Sequence, residues 1–245
     1  PSTTNNRKSL LWADTFKNGS PLFSNMTTAP LSLTHLIRPS NLKTGKPPVL
    51  FLFHGYGSNE EDLFSFAPEL PETLCVISAR APIPLPPFGN ALYAINFEAS
   101  HGRWSDVEQA VKSRELILKF IDEACETYGL DTSNINLLGF SQGTVLSYSI
   151  ALSYPEKIKN LIALSGYIDQ NLLIDQYQQK DHSTLQIYAS HGQLDQVIPP
   201  EWAYMSQDLL RQLNAQVTFE EYPVGHGVAP QNFHSFKKWL EERLD

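Results

Sequence analysis

The sequence predicts an α/β fold: a mainly parallel sheet with helices on both faces. Three observations predict it. Short apolar or β-branched runs alternate with longer helical patterns along the chain. Several runs are apolar throughout, as a strand buried on both faces requires. No internal repeat and no linker-like stretch divides the 245 residues. Residues 1–245 therefore read as a single domain, with residues 1–20 as a flexible N-terminal extension.

The elements follow in order. Strands are expected at residues 31–37, 49–53, 74–78, 135–140, 161–165, 185–189 and 217–222. Helices are expected at 60–69, 106–128, 142–154, 200–213 and 231–243. The first strand has no helix before it and reads as an antiparallel strand near the sheet edge. Right-handed crossovers should join the parallel strands. The longest helix opens on Ser105-Asp106-Val107-Glu108, read as a capping box in which Ser and Glu satisfy free backbone amides. It stops at Gly129. The loop from Ala81 to Trp104 breaks the alternation and carries Phe88, Tyr93, Phe97 and Trp104 among its prolines. Long loops in compact domains are usually functional or disordered, and this aromatic content argues against disorder. The loop reads as a wall of a substrate pocket, with Phe88 and Trp104 as its substrate-binding candidates.

Composition narrows the function. The chain is 42% hydrophobic and 18% charged, as expected for a soluble globular protein with a sizeable core. A formal net charge of −8 repels phosphate backbones and anionic lipid. Nucleic acid and stable membrane association are therefore not expected. No segment approaches the roughly 18 apolar residues of a membrane span. Residues 1–20 lack the apolar core of a signal peptide, so a cytoplasmic protein is expected. Cys75 and Cys125 have no motif spacing and read as reduced, buried thiols. The sequons at Asn18 and Asn25 read as chance matches. The histidines lack ligand spacing, so neither metal nor cofactor is implied.

The sharpest signal is Gly139-Phe140-Ser141-Gln142-Gly143, between an apolar run and a helical pattern. Strand, G-x-S-x-G, helix is the context of the nucleophile elbow of α/β-hydrolases. The turn is so tight that the positions two away from the serine must lack bulk. Ser141 is therefore the candidate nucleophile. Such a serine needs a base, and the base an orienting acid, in the order Ser, acid, His. His226 lies in Gly225-His226-Gly227, past the last strand, where a flexible loop lets an imidazole reach the carboxyl edge of the sheet. His234 lies within the last helical pattern and reads as structural; His182 lies in a polar stretch and reads as solvated. Asp195 follows the 185–189 strand and is the candidate acid, ahead of Asp169, Asp175 and Asp181. Oxyanion donors are expected from the backbone N–H of Gln142 and of Tyr56, in a glycine-containing loop after the 49–53 strand. His54 and His191 read as structural histidines of strand-end turns.

His54-Gly55-Tyr56-Gly57, Gly139-Phe140-Ser141-Gln142-Gly143, His191-Gly192-Gln193-Leu194-Asp195 and Gly225-His226-Gly227 together resemble the phospholipase/carboxylesterase family, which includes the acyl-protein thioesterases. The matching order covers roughly residues 45 to 243. The resemblance implies an α/β-hydrolase with little or no cap domain and a shallow hydrophobic acyl groove. It carries Ser141, Asp195 and His226 over as triad and Tyr56 and Gln142 as oxyanion donors. Asn59-Glu60-Glu61-Asp62-Leu63 is more similar to the bacterial carboxylesterase branch. Thr144 departs from the family, which usually has a second glycine there, and this bears on helix–strand packing behind the elbow. The expected function is hydrolysis of short- to medium-chain acyl esters, small molecules, through an acyl-enzyme. Thioester or lysophospholipid deacylation uses the same residues, and a non-catalytic binding protein is the alternative from another class.

Overall fold

The computed structural model describes residues 31–96 and 104–244, apart from the side chains of Asn96 and Trp104. The N-terminal extension, both sequons and Phe97 lie outside the described residues. In chain order the elements are β1 His35–Arg38, β2 Val49–Phe53, α1 Glu61–Phe64, β3 Cys75–Ala79, β4 Ile83–Pro84, β5 Asn90–Ala91, β6 Ile95–Asn96, β7 Trp104–Ser105, α2 Val107–Tyr128, β8 Ile135–Phe140, α3 Gln142–Ser153, β9 Asn160–Leu164, β10 Gln186–Gly192, α4 Pro200–Gln212, β11 Gln216–Tyr222 and α5 Pro230–Glu241.

Seven strands form one sheet in the order β1-β3-β2-β8-β9-β10-β11. β1 runs antiparallel to β3 at the edge, and the other neighbours are parallel. Side chains alternate between faces as the pleat dictates. Val49, Phe51 and Phe53 of β2 join a core with Ile117, Phe120 and Ile121 of α2 and Leu146 and Ile150 of α3. Leu50 and Leu52 join the opposite core, with Phe233, Phe236 and Leu240 of α5. α3 is buried along its whole length, as a helix covered on every side must be.

Three local expectations need correction. β1 begins at His35 rather than residue 31, because its partner β3 ends at Ala79, directly opposite. The expected 60–69 helix breaks into α1 and a 3₁₀ turn at Ala67–Glu69. Pro68 has no N–H to give to the carbonyl of Phe64, so the α-helix cannot run through it. The cap of α2 is Asp106, whose carboxylate accepts the Gln109 N–H at 2.9 Å. Ser105 cannot cap, being a β7 residue paired with Ile95.

The stop at Gly129 stands, with φ 64°. Cys75 and Cys125 are buried free thiols. Burial pushes them up to about 12 and about 11. The carboxyl ends of β2, β8, β10 and β11 share one edge of the sheet, where ligands bind in open α/β folds. Tyr56, Ser141, Asp195 and His226 follow those four ends.

Candidate active site

Ser141 joins β8 to α3 at φ 54° and ψ −116°. An L-residue rarely takes that conformation, so the surroundings must hold it there. The Ser141 N–H donates to the Leu164 carbonyl at 3.0 Å, and the Val145 N–H to the Ser141 carbonyl at 3.1 Å. A Cβ at Gly143 would lie 1.9 Å from the Phe53 carbonyl oxygen, so only glycine lets α3 sit against β2. Thr144 fits without the family's second glycine. Its hydroxyl donates to the Leu164 carbonyl at 2.6 Å, and Gly166 leaves room for its methyl group.

Three predicted residues meet. His226 Nε2 lies 2.9 Å from Ser141 Oγ, and His226 Nδ1 lies 2.7 Å from Asp195 Oδ2. The other carboxylate oxygen, Oδ1, accepts the N–H groups of Val197 at 2.8 Å and Ile198 at 2.9 Å. Asp195 is buried. Burial works against its charge, but hydrogen bonds from His191, His226 and the backbone outweigh that and hold its pKa well below the usual carboxylate range. Neighbouring chain ties the acid loop to the base loop: Gln193 N–H donates to the Tyr222 carbonyl at 2.8 Å and Leu194 N–H to the Val224 carbonyl at 3.0 Å.

The other histidines sort themselves. His191 Nε2 lies 2.9 Å from the Ile198 carbonyl and 3.3 Å from Asp195 Oδ2. It is structural, as expected, but it is also the second imidazole on the acid, which its place in a strand-end turn did not reveal. His54 holds its own loop, as expected: it takes the Ala81 N–H on Nε2 at 3.0 Å and places Nδ1 2.8 Å from the Gly55 carbonyl. Burial lowers its pKa, in keeping with a bare Nε2 that accepts. His182 is not solvated. It is buried with Nε2 2.9 Å from the Leu152 carbonyl, in the last turn of α3, where the carbonyls have no helical N–H to accept. His234 sits on the exposed side of α5. Asp169 caps a 3₁₀ turn, accepting the Asn171 N–H at 3.0 Å.

The cleft at Ser141 measures about 220 Å³. Tyr56 and Gln142 line it beside the serine. The Gln142 N–H opens α3 and has no helical carbonyl four residues back. The Gln142 side chain does separate work: Oε1 accepts the Leu92 N–H at 2.8 Å, and Nε2 donates to the Tyr93 carbonyl at 2.7 Å. It thereby fastens the 81–104 loop to the elbow. That loop does form a wall, through Tyr93 and Ile95. Phe88 does not: it is 86% exposed, at the tip of the β4–β5 hairpin. The hairpin is closed by Leu85 N–H to Gly89 O at 2.8 Å, and that turn lifts Phe88 outward. The Trp104 side chain lies outside the described residues.

Val145, Tyr167, Ile198 and Trp202 complete the apolar wall. Tyr167 and Trp202 meet edge to face, centroids 4.7 Å apart. The sequence reading missed all four. For Tyr167 a signal existed: an aromatic two residues past a predicted strand faces the edge where ligands bind. Among the described residues no cluster of His, Cys, Asp and Glu is arranged for a metal. No described helix is long and apolar enough to cross a membrane.

A mainly parallel sheet with a strand–turn–helix elbow at its centre and loops converging on it defines an α/β-hydrolase. Residues 40–244 match the family model described as Phospholipase/Carboxylesterase. The chain belongs to the phospholipase/carboxylesterase family, whose members are carboxylic ester hydrolases. It is 29% identical to a probable carboxylesterase SOBER1-like of Arabidopsis thaliana over 117 residues, 47% of this chain and 45% of that protein, so the match spans under half of that relative. It is 25% identical over 236 residues to acyl-protein thioesterase 1 of Eremothecium gossypii, covering 89% of this chain and 94% of the relative. The solved structure of the Bacillus cereus carboxylesterase superposes at a TM-score of 0.74 and 21% identity, over 86% of this chain and 94% of that one. That last likeness is one of fold.

Proposed function

We propose that this chain is a serine carboxylesterase that hydrolyses short- to medium-chain acyl esters through Ser141, His226 and Asp195. The observation that carries the reading is the hydrogen-bonded line from Ser141 Oγ through His226 to Asp195 Oδ2, at the base of an apolar cleft. His226 Nε2 takes the serine proton as Oγ attacks the acyl carbon. The negative charge on the former carbonyl oxygen is met by the N–H groups of Tyr56 and Gln142. Asp195, ionised and buried, keeps the Nδ1 proton on His226 and balances the imidazolium that forms. His226 then returns the proton to the leaving alcohol. Water, deprotonated by the same imidazole, releases the acid from the acyl-enzyme.

Size supports the chain-length part. About 220 Å³ is below the roughly 300–1,000 Å³ of pockets that take drug-sized ligands. A thioester presents the same acyl carbon to Ser141, and the likeness to an acyl-protein thioesterase makes thioesters the second reading. A panel of acyl esters and matched thioesters, graded from acetyl to palmitoyl, tests both. We expect kcat/KM to rise to about butyryl or hexanoyl, at roughly 0.8 kcal/mol per buried methylene, and then level or fall. A steady rise through palmitoyl, with thioesters ahead of esters, would replace this reading with the deacylase one.

A further inference from the structure

We infer that His54 is a positioning residue for the oxyanion donor: its imidazole fixes the orientation of the Gly55–Tyr56 peptide and so aims the Tyr56 N–H. The inference rests on the reading of the site as an ester hydrolase. It begins with the planarity of the peptide bond. The carbonyl of residue 55 and the N–H of residue 56 belong to one trans unit and point in opposite directions. Whatever holds the Gly55 oxygen therefore also holds the Tyr56 N–H.

Among the described residues two donors reach that oxygen. His54 Nδ1 is 2.8 Å from it, and the Ser58 N–H is 3.3 Å away. The imidazole is the closer. It is itself tethered, since the Ala81 N–H donates to His54 Nε2 at 3.0 Å. Nε2 accepts, so the ring proton of the neutral histidine must be on Nδ1, where it donates to Gly55. The nucleophile lies against the same residue: a Cβ built on Gly55 would be 3.3 Å from Ser141 Cβ. That closeness favours glycine at 55, and glycine brings a cost. With no Cβ it accepts most backbone angles, so the peptide that follows it is free to flip unless something latches it. The buried imidazole is that latch. It reaches no substrate and lies outside the cleft lining; it acts through the backbone.

The alternative is a histidine that only stabilises the fold, and two variants separate the roles. Asn places an amide N–H near the position of imidazole Nδ1; Gln places its amide near Nε2. His54→Asn keeps the donor to Gly55 and loses the tie to Ala81. His54→Gln keeps an acceptor for Ala81 and loses the donor to Gly55. We expect His54→Gln to lower kcat by about 10²–10³-fold, the loss of one oxyanion donor, with KM nearly unchanged. His54→Asn should stay within about tenfold of wild type. Activities that simply follow the melting temperatures, or a fully active His54→Gln, would overturn the inference. Nitrogen NMR of the wild-type imidazole tests it without any variant: Nδ1 should carry the proton, and a proton on Nε2 overturns it. A wild-type protein that turns over no ester or thioester would sink the hydrolase reading instead, whatever the tautomer.

Discussion

The two walls of the cleft around Ser141 are built from different interactions. On one side stands His226, backed by the buried Asp195, each held by bonds of 2.7–2.9 Å to a particular atom. On the other stand Tyr93, Ile95, Val145, Tyr167 and Trp202, apolar or aromatic side chains, of which Tyr167 and Trp202 meet edge to face. Hydrogen bonds are directional and chemically specific; apolar burial is neither, and grows only with area. The first wall should therefore fail abruptly when one atom is changed. The second should yield gradually, in proportion to the surface removed.

The largest expected effect is at Ser141. Ser141→Ala should fold normally and lose roughly 10⁴–10⁶-fold in kcat, because members of a triad act as a unit. A phosphonate probe should mark Ser141 alone. Labelling of another serine, or appreciable turnover by the alanine variant, would move the nucleophile elsewhere.

Next comes the acid. Asp195→Asn removes the charge and favours the wrong imidazole tautomer, and kcat should drop by about 10⁴-fold. Asp169→Asn is the control, since Asp169 serves a local turn. If Asp169→Asn proved the damaging change, the polar wall would have been assigned to the wrong loop.

The polar wall also predicts pH behaviour. The pKa of Asp195 lies below its ordinary value in the folded protein, so its carboxylate stays ionised at pH above about 4. kcat/KM should then show no ionisation of Asp195 at any pH above about 4. An acid step above that pH in the wild type that Asp195→Asn removes would mean that the carboxylate is not held ionised. The stability that the Asp195 bonds contribute has the same sign. It is fully present above about pH 4 and is lost as pH falls towards the lowered folded-state pKa. Asp195→Asn should accordingly flatten the acid unfolding of the wild type.

The apolar wall should respond on a smaller scale. Trp202→Ala opens the end of the cleft next to Tyr167. Each further methylene then buried contributes about 0.8 kcal/mol, or about fourfold. The octanoyl-to-butyryl ratio of kcat/KM should rise by about tenfold, with acetyl esters changed by less than about twofold. An unchanged ratio would take Trp202 out of the acyl site. The smallest effect is expected at Phe88, which points into solvent. Phe88→Ala should alter every ester by less than about twofold, as exposed substitutions do. A selective loss on longer chains would restore Phe88 to the substrate path.

These walls also differ in how legibly the sequence records them. β2 and β8 have the bounds expected of them, and β1 is the antiparallel edge strand its position implied. Ser141, Asp195 and His226 were each nominated from a strand end, and they meet. Such features depend on needs that neighbouring residues satisfy. Gly143 lets α3 approach β2, the period of apolar residues sets the strands, and the parallel order brings their carboxyl ends to one edge. The same locality explains the errors at Pro68 and Ser105, where one neighbour outweighed the pattern. Only the tertiary structure decided that Phe88 faces water while Trp202 faces the cleft beside Tyr167. Only the tertiary structure gave His191 to Asp195, His54 to the Gly55 carbonyl, and the Gln142 side chain to the 81–104 loop. Tyr167 and Trp202 belong to different elements far apart in the chain, and their contact is non-directional. Nothing in either neighbourhood has to announce it, so only packing in three dimensions reveals it.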